Sequence, residues 1–280
     1  MPTRIPRHAP LRALLALAAP FALVAGIDLT VTLAPPPIPV YIQPPCPDYG
    51  YLWTPGYWAW ADGGYFWVPG TWVKAPEAGL LWTPGYWGWG GQSYVYHQGH
   101  WGDQVGFYGG INYGGGYGGS GFQGGYWQNQ TYYYNQAVTR VDNSRITNVY
   151  NKQVTIINHS NVAYNGGPGG AKTAPSAQDR VAEQGHQLAP TAEQTQHHLA
   201  ASRVKDLQAA VNHGKPPVAA TARPADIPGA GPGKAQEPPP PPPGKTPKPA
   251  PGSDPGKQPP APSAPPMKRV PPVGGCDLTG

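Results

Sequence analysis

The sequence predicts a mainly β fold: a small antiparallel meander of aromatic-rich hairpins, followed by short C-terminal helices and accompanied by extensive disorder. Two observations predict it. All 10 Trp of the 280-residue chain lie between Trp53 and Trp127, and the chain contains 39 Gly and 40 Pro. Aromatic and β-branched residues favour strands, whereas Gly and Pro at this frequency are typical of turns and disordered sequence.

Composition and charge exclude several classes of protein. An α/β barrel or a doubly wound sheet needs many Val-, Ile- and Leu-rich strands alternating with helices, and this sequence lacks them. Only 12% of the residues are charged and the net charge is +5, with much of the positive charge near the two ends of the chain. Because no basic patch forms within the expected folded part, we expect no nucleic-acid partner.

Residues 1–26 have the pattern of a secretory signal peptide. Arg4, Arg7 and Arg12 accompany an apolar run over residues 13–27. A basic start followed by a short apolar run is typical of an export signal, and the run is shorter than a usual membrane span. The alternative is an uncleaved N-terminal anchor, which would be the chain's contact with a membrane. Either interpretation predicts an exported protein.

Residues 27–50 form a Pro-rich lead-in to an aromatic phrase that recurs four times within residues 51–102. The copies read WTPGYW at 53–58, WVPGTW at 67–72, WTPGYW at 82–87 and YHQGHW at 96–101. Copies at a nearly fixed spacing indicate one structural unit used repeatedly. Turn residues such as Asp62-Gly63 separate the copies and predict antiparallel strands over 51–60, 65–74, 80–89 and 94–102.

A Pro-Gly dipeptide interrupts three of these strands, and we interpret it as a structural turn. The residues are Pro55, Gly56, Pro69, Gly70, Pro84 and Gly85. Pro followed by Gly favours a type II turn with the glycine in the left-handed region. As a β-bulge, this turn would bring Trp53, Trp58 and Trp60 to one side of the sheet. The alternative reverses the chain at every Pro-Gly and leaves strands too short to bury much surface.

Four strands cannot bury all of the indoles on one face, so two interpretations of the tryptophans stay open. One is an aromatic core with leftover exposed rings. The other is an aromatic platform that stacks on sugar rings or on another protein, because a contiguous exposed aromatic patch usually marks a binding surface. The candidate ligand-stacking residues are Trp53, Trp58, Trp60, Trp67, Trp72, Trp82, Trp87, Trp89 and Trp101.

These phrases resemble the bacterial YXWGXW-repeat family of exported proteins. Tyr86-Trp87-Gly88-Trp89 lies close to the name motif, and the NGGPGG segment at 165–170 and the capped helix beyond it are also similar. The resemblance covers roughly residues 35–225 and implies a protein of the bacterial periplasm, outer envelope or extracellular space. The resemblance points to no particular activity, because the family has no established one. The fourth copy departs from the pattern, with Tyr96 in place of Trp and Gln98 in place of Pro.

Two segments of unusual composition follow the repeats. Residues 103–131 are rich in Gly and Tyr and predict a flexible loop against the sheet; their GYGGSG stretch lacks the strand and helix of a dinucleotide site. In residues 132–165, Val and Ile alternate with Asn and Thr, which predicts thin strands with turns near Asp142 and Asn151. A β-solenoid, an extended ribbon and a segment that becomes ordered on pairing with another chain are the alternatives.

A Gly-rich linker at 166–175 leads to two predicted helices within residues 176–213. Capping patterns at Ser176 and Thr191 predict helices near 176–186 and 191–213. The second has a narrow apolar stripe that would dock on the sheet, self-associate or leave the helix marginal. Residues 214–280 are Pro-rich and predict a disordered spacer, or alternatively a ligand for an SH3-like groove. Cys46 and Cys276 could pair or stay free.

The sequence predicts no catalytic, metal or cofactor site. His97 and His100 lack a third ligand nearby, and paired carboxylates are absent from the expected folded core. We therefore expect a non-catalytic exported cell-envelope protein of structural or scaffolding type. The alternative is a polysaccharide- or peptidoglycan-binding module that uses an exposed Trp/Tyr face. The expected partners are a cell-wall glycan or an envelope protein, and an enzyme is the least favoured hypothesis.

Overall fold

The computed structural model describes residues 30–229, and these fold into the predicted mainly β structure, with three short helices where two were predicted. The strands are β1 (Thr30–Val31), β2 (Tyr51–Thr54), β3 (Tyr57–Ala61), β4 (Gly64–Val68), β5 (Thr71–Lys74), β6 (Leu81–Thr83), β7 (Tyr86–Trp89), β8 (Tyr94–His97), β9 (His100–Gly102), β10 (Asn112–Gly114), β11 (Tyr117–Gly118), β12 (Gly125–Gln128), β13 (Thr131–Asn135), β14 (Val149–Tyr150), β15 (Tyr164–Asn165) and β16 (Gln187–Leu188). The helices are α1 (Ala177–Gln184), α2 (Ala192–Ser202) and α3 (Ala209–Asn212), with a 3-10 turn at Lys205–Leu207. The predicted signal peptide, Cys276 and most of the Pro-rich tail lie outside the described residues.

The first two repeat copies form one long antiparallel hairpin, hairpin A (residues 51–74). β3 pairs with β4 around a two-residue turn at Asp62-Gly63, where both residues have positive φ. Positive φ at both central residues is the type I′ geometry that suits a tight hairpin, so the Asp-Gly signal is confirmed. Further from the turn, β2 pairs with β5 and places Trp53 opposite Trp72.

The pairing register of hairpin A passes through both Pro-Gly dipeptides without a shift. The ladders on either side have the same register, which places Pro55 across from Gly70 and Gly56 across from Pro69. Neither strand contributes an extra residue, and neither glycine has a positive φ. The predicted type II turn and β-bulge are therefore wrong, and the alternative chain reversal at each Pro-Gly is also wrong.

The glycines are required by a close approach of the two strands. A Cβ on Gly56 would overlap the Trp67 ring and lie 2.8 Å from the backbone nitrogen of Gly70. A Cβ on Gly70 would lie 2.6 Å from the Trp53 ring and 2.8 Å from the nitrogen of Gly56. Each indole thus covers the glycine of the opposite strand, and a side chain at either position would separate the strands.

The last two copies form hairpin B (residues 81–102) with the same design. β6 pairs with β9 and β7 pairs with β8 in one unshifted register. The Tyr96 hydroxyl covers Gly85, which lacks a positive φ, and the Trp82 ring covers Gly99. The crossing is the same as in hairpin A, although Gln98 occupies the position that corresponds to the second proline, Pro69. Both crossings therefore contain two glycines, whereas a second proline is present only in hairpin A.

The two hairpins lie in separate sheets and do not form one four-stranded meander. In hairpin B, β6 and β9 belong to a sheet with β16, while β7 and β8 lie between β1 and β15. Hairpin A forms its own two-stranded ladders. The predicted strands are present, but side chains rather than shared backbone ladders join the hairpins.

The Gly/Tyr-rich segment is part of the core rather than a flexible loop. It contains the β10–β11 hairpin, and Tyr113 and Tyr117 are buried. Their hydroxyls donate hydrogen bonds of 2.7 Å to the carbonyl oxygens of Gly85 and Trp82, respectively. The hydroxyls therefore satisfy carbonyls of hairpin B at the crossing, where the ladder is interrupted.

The Asn/Val-rich segment forms fewer strands than predicted. β13 pairs with β12 and, in parallel, with β14, and β15 pairs in parallel with β7. A turn at Asp142 is present, with the amides of Arg145 and Ile146 bonded to its carbonyl. Most of the segment between these strands is irregular backbone.

Both predicted helix starts are confirmed, because Ser176 and Thr191 each form a complete capping box. The second helix ends at Ser202, and the 3-10 turn and α3 replace the rest of its predicted length. Residues 214–229, predicted to begin a disordered tail, pack against hairpin A. There, the Gly70 amide donates to the carbonyl of Ala219, and the Thr221 amide donates to the carbonyl of Gly70.

We predict that Gly56→Ala destabilises the protein by about 3 kcal/mol, because the new Cβ must displace a buried indole and the facing strand. Urea unfolding followed by tryptophan fluorescence measures the change. Gly64→Ala is the matched control, since its Cβ would meet nothing within 4 Å. Equal stabilities of the two variants would contradict the close approach.

Candidate functional site

Seven of the nine candidate ligand-stacking tryptophans are buried. These are Trp53, Trp58, Trp67, Trp72, Trp82, Trp87 and Trp101, none more than 7% exposed. Their rings contact one another in pairs, such as Trp53 with Trp72 at 5.3 Å and Trp58 with Trp67 at 5.2 Å between centroids. Their faces are filled by the protein itself, so the platform hypothesis narrows to the two remaining residues.

Indole N–H groups of this core donate to backbone carbonyls of Pro-rich segments. Trp58 and Trp72 donate to Pro37 and Pro44 of the lead-in, at 3.0 and 2.9 Å. Trp67 donates to Ala219 in the segment after the helices, at 3.0 Å. Proline-rich backbone has few donors of its own and leaves carbonyls free. The tryptophans therefore fix two such segments onto hairpin A.

Trp60 and Trp89, the other two candidates, are half-buried. The Trp89 ring lies under the glycine-rich loop, where a Cβ on Gly167 would be 2.7 Å from it. The Trp60 ring packs edge-on against Tyr65, with 4.8 Å between centroids. Each ring is partly engaged, so the repeat tryptophans together present no continuous exposed face.

An exposed aromatic cluster lies elsewhere, on the sheet formed by β12, β13 and β14. We call Tyr126, Tyr133 and Tyr150 the tyrosine face. The rings of Tyr126 and Tyr133 stack at 5.4 Å with an interplanar angle of 9°, and Tyr150 lies 5.2 Å from Tyr126. Tyr126 is 44% exposed and the other two are half-buried.

Strand alternation explains why these rings share one side. Tyr126 pairs directly with Tyr133 across β12 and β13. Their neighbours Trp127 and Tyr132 pair on the opposite side, which faces the core. Successive side chains of a strand point to opposite faces, so a buried inner row leaves an exposed outer row.

Hydrogen bonds from the inner side and from asparagines hold this sheet in place. Trp127 donates from Nε1 to Leu80, and the Tyr134 hydroxyl donates to Tyr51 in hairpin A. The side-chain nitrogens of Asn135 and Asn148 donate to the backbone carbonyls of Lys152 and Tyr132, respectively. These hydrogen bonds fix the position of the sheet that carries the tyrosine face.

The outer face also carries polar groups beside the rings. Gln128 and Thr131 pair with each other, are exposed, and share the alternation of Tyr126 and Tyr133. Aromatic faces next to amide and hydroxyl groups suit a ligand with one apolar and one hydroxylated side, as in a sugar ring. The sequence analysis missed these tyrosines, although the Asn129-Gln130 turn, with both φ positive, separates two alternating aromatic runs.

Several of the described histidines contact other groups of the protein. His97 stacks on Tyr86 at 4.5 Å, and burial lowers the pKa of His100. Burial also lowers the pKa of His197, whose two ring nitrogens lie 2.7 Å from the carbonyls of Pro69 and Pro224. Within residues 30–229, no group of three or more His, Cys, Asp or Glu side chains could hold a metal ion.

Cys46 is buried and forms no disulfide within the described part of the chain. Burial raises the pKa of its thiol to about 11. Cys276, with which Cys46 could pair, lies outside that part, so a disulfide between them stays a prediction. None of the helices between residues 30 and 229 has the length and apolar character needed to cross a membrane.

A sequence-family comparison agrees with the hairpin architecture. The family described as WXXGXW repeat matches two segments, residues 49–73 and 79–101. Each match overlaps one hairpin and contains two of the aromatic phrases. No curated protein and no solved structure matches the chain.

We predict that stability falls at alkaline pH because buried tyrosines must stay protonated. Burial raises the pKa of Tyr41 to about 12. Since the folded pKa exceeds the unfolded value of about 10, the contribution of Tyr41 to stability is complete below pH ~10 and declines by about 1.4 kcal/mol per pH unit above it. Burial also raises the pKa of Tyr57 and Tyr65, so the slope of the whole protein is steeper. Urea unfolding at pH values from 9 to about 12 measures the slope.

Tyr41→Phe is the control for this prediction. The variant loses the hydroxyl that accepts the Gly56 amide at 3.2 Å, so its stability is lower at neutral pH. It should nevertheless lose less stability than the wild type between pH 10 and about 12. If the unfolding free energies of the wild type and Tyr41→Phe fell equally with pH, Tyr41 would ionise as easily in the folded protein as in the unfolded chain.

Proposed function

We propose that this WXXGXW-repeat protein is a non-catalytic exported protein of the bacterial cell envelope, with a structural or scaffolding role. The observation that carries the proposal is the use of the repeat aromatics as a core, with each glycine of the crossings covered by an aromatic side chain of the opposite strand. Fixed rings of this kind suit a rigid module better than a mobile catalytic pocket.

The proposed location follows from the sequence of residues 1–26, which carry basic residues before a short apolar run. Export would place the Pro-rich residues 230–280 in the same compartment, where their composition suits a spacer. Fractionation of the source cell and immunoblotting of each fraction test this step. Recovery of the protein in the envelope fraction is expected, and recovery in the cytosol alone would overturn the proposed export.

We predict that loss of the protein weakens the envelope and that a correctly folded hairpin A restores it. A deletion strain should lyse more readily in detergent, and the wild-type protein should rescue it. Gly56→Ala should rescue poorly, whereas Gly64→Ala should rescue fully, because only the first position lies at the crossing. Immunoblotting normalises for abundance, and unchanged detergent resistance on deletion would contradict a structural role.

A second candidate function, polysaccharide or peptidoglycan binding, is favoured by the tyrosine face. The stacked rings of Tyr126 and Tyr133 lie on the outer side of the sheet beside the exposed Gln128 and Thr131. Aromatic rings bury large apolar areas, and hydroxyl and amide groups can bond to sugar hydroxyls. In this candidate function the stacking residues are the tyrosines of the tyrosine face, and not the repeat tryptophans named in the sequence analysis.

We predict that Tyr126→Ala weakens retention on insoluble peptidoglycan or cellulose by about tenfold, the effect of losing a stacked ring. A sedimentation assay with the purified full chain measures the bound fraction. Tyr49→Ala is the matched control, since Tyr49 is 43% exposed and Tyr126 is 44% exposed. Equal binding by both variants, or no binding by the wild type, would remove this candidate function.

A further inference from the structure

Tyr126 combines exposure to solvent with close contact to other tyrosines. All 17 Tyr of the sequence lie between residues 41 and 164, within the part of the chain that the structure describes. Tyr49 and Tyr126 are the most exposed of them, at 43% and 44%. Within residues 30–229 the Tyr49 ring has no aromatic neighbour, whereas Tyr126 contacts the rings of both Tyr133 and Tyr150. Tyr126 is therefore the phenol that an oxidant in solution reaches beside other phenols.

The hydroxyl groups of the tyrosine face are not bound by the protein. Within the described residues, none of its three hydroxyls forms a hydrogen bond. The buried hydroxyls of Tyr113 and Tyr117, by contrast, donate to backbone carbonyls. One-electron oxidation of a phenol also releases the hydroxyl proton. From the tyrosine face this proton can pass directly to water, whereas a buried hydroxyl that donates to a carbonyl has no such route.

The ring geometry distinguishes the two neighbours of Tyr126. Tyr133 is nearly parallel to Tyr126, at an interplanar angle of 9°, whereas Tyr150 is tilted by 55° with 5.2 Å between centroids. A carbon–carbon bond between two aromatic rings lies in the plane of each ring, so rings joined in this way meet at their edges. The parallel stack with Tyr133 is far from that arrangement, and the tilted contact with Tyr150 is close to it.

The hydroxyl ends of the tilted pair are also near each other. Burial, and after it the charge of an ionised Tyr126, raises the pKa of Tyr150. The two oxygens must be close for one charge to act on the other group. The ring carbons ortho to each hydroxyl adjoin these ends, and they are the carbons at which phenoxyl radicals couple.

We propose that Tyr126 and Tyr150 are an oxidative cross-linking site, which forms dityrosine when the chain meets hydrogen peroxide and a haem peroxidase. Each phenol loses one electron and its hydroxyl proton, and the peroxide is reduced to two molecules of water. The two phenoxyl radicals join through a carbon–carbon bond between ortho ring carbons. The hydrogens of those carbons then move to the oxygens, which restores both hydroxyls.

The cross-link joins two strands that are not neighbours. β13 lies between β12 and β14, and β14 is paired to it over two residues only. A bond from Tyr126 to Tyr150 closes the chain between them into a covalent loop. Because such a loop reduces the conformational entropy of the unfolded chain, the cross-linked protein should unfold at a higher urea concentration than the untreated protein.

Peptide mapping of the purified full chain after treatment with peroxide and peroxidase tests the proposal. Trypsin, which cuts after Lys and Arg, places Tyr126 in residues 75–140 and Tyr150 in residues 146–152. Tyr150 is the single tyrosine of the shorter peptide. In dilute protein we expect these two peptides to be recovered as one species, lighter than their sum by two hydrogen atoms. Fragmentation of the longer peptide should place the bond at Tyr126.

Three controls separate this site from unspecific oxidation. Tyr126→Phe keeps the ring but has no hydroxyl to oxidise, so the joined peptide should disappear while circular dichroism shows a folded protein. Tyr49→Phe removes a similarly exposed hydroxyl and should leave the yield unchanged. Oxidation of the wild type in concentrated urea should suppress the joined peptide, because the two rings separate. An unchanged yield in Tyr126→Phe or in urea, or an oxidised wild type without the joined peptide, would overturn the proposal.

Discussion

The structure depends on the close approach of two strands at each glycine crossing. Where Gly56 meets Gly70, the strands come near enough for each indole to lie over the other strand's backbone. A ladder interrupted by proline would ordinarily separate, because proline supplies no amide donor. Here the covering Trp53 and Trp67 rings bury large apolar areas at that point, so packing holds the hairpin together where hydrogen bonds do not.

This constraint also explains why so many prolines accompany so many tryptophans. Each buried indole has one N–H that needs an acceptor, and the proline-rich lead-in offers free carbonyls such as those of Pro37 and Pro44. The same arrangement connects the hairpins, since Trp87 donates to the carbonyl of Trp58. Proline-rich sequence that looks disordered by composition can therefore be ordered by aromatic donors elsewhere in the chain.

Local signals in the sequence predicted local structure well, and tertiary features escaped them. The capping boxes at Ser176 and Thr191 and the turn at Asp62-Gly63 depend on adjacent residues, and each is present. The Pro-Gly dipeptides were misinterpreted because glycine is required there by the close approach of the opposite strand, and not by a positive φ. In the tyrosine face, Tyr126 and Tyr133 pair locally across the β12–β13 hairpin, whereas Tyr150 joins them only through the parallel pairing of β14 with β13 across a long irregular connection.

Most of the repeat tryptophans lie in the core, whereas Tyr126 and Tyr133 lie on an outer face of the fold. The repeats place their indoles inside, where ring area stabilises the core and N–H groups bond to backbone. The outer face of β12 and β13 instead carries tyrosines, whose hydroxyls remain compatible with water while their rings still offer a flat apolar surface. In this chain the repeated aromatic phrases therefore supply the core, and the exposed tyrosine cluster comes from a different segment.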